Sequence, residues 1–194
     1  MKCPVVGKAG GFTLIELLVT LGIGMVVLAA VTTTFMNQTR FYSAQEQVNE
    51  MEQNARGALD LITREIKMAG YNPAGAVFDG VAVCSASQLQ IKADLNAVSG
   101  VEVSTDENIT YAYDISTLRI TRTRGGEAAQ VLADNITALT FTCYKADGAT
   151  TTTTSSEIRQ VKVEITARTA KQDPNYGYRT YIVSATITPT NLGL

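Results

Sequence analysis

Phe12 to Met36 is a run of 25 residues that holds one charge, Glu16, and no other charged side chain lies between Lys8 and Arg40. Wound as a helix at ~1.5 Å per residue, such a run crosses a hydrocarbon core of roughly 30 Å. It must be hidden in lipid or in other protein, and that requirement constrains everything that follows it. Glu16 is the anomaly. A carboxylate in hydrocarbon costs about 3 kcal/mol on insertion scales and is rarely kept without a role. Ahead of the run stands a short segment with Lys2 and Lys8 that ends in Gly10-Gly11.

This is not the pattern of a secretory signal peptide. The run exceeds the usual ~7–15 residues of an h-region. Its nearest small-residue cleavage candidate, Ala29-Ala30-Val31, is poor at the last position. Gly11-Phe12-Thr13-Leu14-Ile15-Glu16 instead resembles the processing site of type IV prepilins and of their relatives, the pseudopilins of type II secretion. The resemblance implies a leader cut after Gly11 by a prepilin peptidase. It implies a methylated mature N-terminus at Phe12 and an assembly role for Glu16. The implied partners are the membrane, other pilins or minor pilins, and an inner-membrane pilus assembly platform.

Past the apolar run the helical period continues. Phe41, Ala44, Val48, Met51, Ala55, Ala58, Ile62 and Ile66 recur at three- and four-residue steps, while Arg40, Glu46, Glu50, Glu52, Arg56, Asp60, Arg64 and Lys67 take the other face. Gly70 followed by Pro73 is a stop signal. A helix from Phe12 to Ala69 would be about 58 residues and roughly 87 Å long, with Gly22 and Gly24 marking where its first half is expected to bend or melt. The stripe is short and alanine-rich, which favours packing on the domain that follows over a coiled-coil seam.

The remainder alternates as strands do. Leu89–Asp94, Ile109–Tyr113, Leu118–Arg122, Gln130–Leu132, Ala138–Tyr144, Ile158–Thr166 and Thr180–Thr188 are the expected strands, and Asp114–Thr117 makes a hairpin turn. The Thr150–Thr154 tract reads as a mobile loop, and Asp173 to Tyr178 as a turn-rich connection. The expected fold is α+β: a long N-terminal helix, its apolar half spanning the membrane, packed on a C-terminal antiparallel sheet as in pilins. Residues 1–11 are the leader, 12–39 the transmembrane and filament-core helix, 40–70 the amphipathic half and 71–194 the β-rich head.

Composition narrows the function. Net charge is −2 and the chain has no histidine, so neither a basic field for nucleic acid nor the commonest general base is present. No nucleophile has a partner, no cofactor motif occurs, and Asp106-Glu107 alone falls far short of the roughly six to eight oxygens of a calcium site. No enzyme, metal, cofactor or nucleic acid is expected. Cys3 would leave with the leader, which leaves Cys84 and Cys143 outside the cytoplasm, either bridged or as two buried thiols. Glu52–Ile62, Met68–Tyr71, Ile109–Asp114 and Ala133–Thr137 are similar to PilW-type minor pilins, while a cysteine pair near the C-terminus, which marks the D-region of major pilins, is missing. The expected function is a minor type IV pilin that primes or joins pilus assembly from the bacterial inner membrane, its head periplasmic. The alternatives are a minor pseudopilin of type II secretion and, from another class, a membrane-anchored periplasmic binding or adhesion module.

Overall fold

A computed structural model describes residues 10–97, 106–173 and 176–192. The leader segment 1–9, with Lys2, Cys3 and Lys8, lies outside the described residues, as do Pro174 and Asn175 of the late connection. The chain divides into two compact units, Met1–Gln45 and Glu46–Leu194. Among the described residues, helix α1, Leu14–Met68, supplies the regular structure of the first unit and the opening element of the second. It starts two residues later than expected and runs unbroken through Gly22 and Gly24.

In the second unit α1 buries Met51, Ala55, Ala58, Leu59, Ile62 and Ile66. From Met51 onward this is the predicted stripe plus Leu59, and it packs into the unit's own core. Each fully covered Ile or Leu contributes about 2 kcal/mol of apolar burial. On the outer face, Arg64 pairs with Asp60 at 2.6 Å and Arg56 with Glu52 at 3.3 Å, one turn apart. The helix stops at Gly70, whose φ of +79° suits glycine. Its N–H donates to the Lys92 carbonyl at 2.9 Å. A Cβ on Gly80 would sit 2.4 Å from the Gly70 nitrogen, so both glycines are required where the helix end meets the sheet.

The strands form two antiparallel sheets where one was expected. Strands β1 (Val81–Cys84), β2 (Gln88–Lys92), β3 (Asn108–Asp114), β4 (Arg119–Arg124) and β5 (Gln130–Ala133) make the first, in that order; β6 (Ile136–Tyr144), β7 (Gln160–Arg168) and β8 (Thr180–Ile187) make the second. The break falls at Asp134-Asn135, where Asn135 turns the chain with a φ of +57°. The sheets are stitched at several points. Cys84 of β1 is bonded to Cys143 of β6, the Phe141 N–H donates to Ala86 O at 3.0 Å, and the Ile136 N–H donates to Leu118 O at 2.9 Å. The bridge closes a sequence separation of 59 residues, a constraint on the unfolded chain of about 4 kcal/mol in the loop-entropy view.

Two expected loops have definite structure. The Asp114 carboxylate accepts from the Ser116 N–H and hydroxyl and from the Thr117 hydroxyl, which holds its pKa down to about 2 and fixes the β3–β4 turn. The threonine tract is tied down, contrary to its reading as a mobile segment. Thr152 N donates to Cys143 O, Lys145 N donates to Thr150 O, and a 3-10 turn at Ser155–Glu157 closes it. A threonine-rich composition signals a loop but says nothing of the Cys143 carbonyl and Lys145 amide that capture it.

One part-buried polar cluster locks α1 to the first sheet. Glu65 receives two nitrogens of Arg122, at 2.7 and 3.1 Å, and the Tyr111 hydroxyl. Arg122 also reaches Asp106 at 3.2 Å. Burial and the Glu65 carboxylate push the Tyr111 phenol well above its ordinary value, so it remains a donor. Burial works against the Arg122 charge, but Glu65 and Asp106 outweigh it. Glu65→Leu leaves a guanidinium that is only 16% exposed with Asp106 as its remaining carboxylate, and is expected to cost about 2 kcal/mol in denaturant unfolding of the full chain in detergent. Adding Arg122→Leu should restore part of that loss. A single-variant cost below ~1 kcal/mol, the range of surface pairs, would contradict the cluster's role.

Candidate processing and assembly site

Gly10 to Thr13 precede the helix and carry no regular structure. All four are exposed, Phe12 at 88%. The Gly11–Phe12 peptide bond therefore stands in an irregular, accessible segment just before α1. Among the described residues nothing lies within 4 Å of where a Cβ on Gly10 or Gly11 would sit.

Thr13 and Glu16 form a reciprocal cap at the helix start. The Glu16 N–H donates to Thr13 Oγ1 at 3.3 Å, and the Thr13 N–H donates back to Glu16 Oε2 at 3.1 Å. The Thr13 hydroxyl also lies 3.1 Å from Oε2. Two orphan amides are satisfied at once, which is the capping-box arrangement, and the carboxylate sits at the positive end of the helix dipole. Only Oε2 is used. Among the described residues nothing hydrogen-bonds Glu16 Oε1, and no hydrogen bond joins Glu16 to the Phe12 nitrogen.

Beyond Glu16, α1 is long and apolar enough to cross a membrane. Its threonines do not spoil that. Thr20, Thr32, Thr34 and Thr39 each return the hydroxyl proton to a carbonyl one turn back at 2.7–2.9 Å, and Thr33 does the same to Ala29. Their polarity is thus met inside the helix, as hydrocarbon requires.

Residues 7–32 match the family model of the prokaryotic N-terminal methylation motif. This N-terminal segment is type IV prepilin-like. The motif implies processing by a prepilin peptidase and association with pilins and with a membrane. Its bounds contain Gly11, Phe12 and Glu16, so the exposed bond and the capping carboxylate belong to this one segment. Neither a curated protein nor a solved structure matches the chain.

The other singled-out residues lie in the Glu46–Leu194 unit. Cys84 and Cys143 are a structural bridge between sheets. The acidic pair is occupied within the fold. Asp106 meets Arg122 and Arg124, and Glu107 accepts from the Leu95 and Asn96 amides. Tyr178 is covered by the Arg168 guanidinium at 4.3 Å and Tyr176 lies near that of Arg179 at 5.7 Å. Thr13 was missed as a functional residue, although Thr-x-x-Glu before an apolar run is its signal. Thr13→Val should weaken the helix start by about 1 kcal/mol, seen as roughly fivefold faster amide exchange at Ile15–Leu17 in micelles. Unchanged exchange would rule out the cap.

Proposed function

We propose that the chain is a minor type IV pilin, a structural subunit and not an enzyme, held in the bacterial inner membrane with its head in the periplasm. After a prepilin peptidase removes the leader, it primes or joins the pilus. The observation that carries this reading is the exposed Gly11–Phe12 bond one residue ahead of the Thr13–Glu16 cap, followed by a spanning-length helix. The similarity of Glu52–Ile62 and its neighbours to PilW-type minor pilins supports the minor-subunit assignment.

The geometry suits a two-stage use of Glu16. Before cleavage the carboxylate has the Thr13 amide and hydroxyl as partners, which lowers the cost of holding it near lipid. Cleavage creates an ammonium at Phe12, four residues away, and Glu16 Oε1 has an acceptor position to spare. An amine from a neighbouring helix would reach that oxygen only in one axial register, so the pair rewards insertion and sets the stagger.

Mass spectrometry of the membrane-extracted protein tests processing. The mature N-terminus should be Phe12 with a methylated amine. A chain starting at Met1, or beyond Ala30, contradicts the reading.

A further inference from the structure

We draw no further inference here: the strongest candidate, the apolar cleft of about 400 Å³ between the last turns of α1 and strands β2 and β3, is bordered by Leu95 and Asp106 on either side of residues 98–105, which lie outside the described residues, and nothing in the structure shows what covers it.

Discussion

A carboxylate has to survive at the head of a helix whose next charge is Arg40, and the N-terminal unit is organised around how Glu16 does so. Left alone in hydrocarbon it would cost about 3 kcal/mol. Thr13 offsets part of that by offering an amide and a hydroxyl to Oε2, and the helix start adds its own positive end. The arrangement consumes one oxygen and leaves the other. A group satisfied within its own chain has no reason to recruit a partner. A half-satisfied one does, and the ammonium released at Phe12 has the complementary charge.

The head solves a different problem, that of presenting a folded domain on the end of an anchor. The buried stripe from Met51 to Ile66 makes the second part of α1 a core element of the Glu46–Leu194 unit. Its far end is clamped by polar contacts that few arrangements satisfy: Glu65 to Arg122 and Tyr111, Gly70 to Lys92, and the Thr190 hydroxyl to Lys67 O. The Cys84–Cys143 bridge then ties the five-stranded sheet to the three-stranded one.

Much of this was legible because it is periodic. The apolar run, the Met51–Ile66 stripe and the alternation in Ile109–Tyr113 or Ile158–Thr166 are local, and each maps to an element. The partition into two sheets was not, since alternation names a strand's faces and not its neighbours. That partition turns on Asn135 adopting a positive φ and on carbonyls at Ala86 and Leu118 that no local pattern marks. The Glu65–Arg122 pair spans 57 residues in sequence, and charges on a helix face look the same whether they meet water or a strand. The Thr13–Glu16 cap is legible as well, since Thr-x-x-Glu ahead of an apolar run is a local pattern.

The central claim is that Glu16 serves assembly through its remaining oxygen. Recovery of Glu16→Ala in sheared pili, compared with its level in the membrane, tests this most directly. The account predicts a protein that inserts and is cut after Gly11 yet is depleted from the fibres and from pull-downs of its pilin partners. Recovery at the wild-type level in both would contradict it.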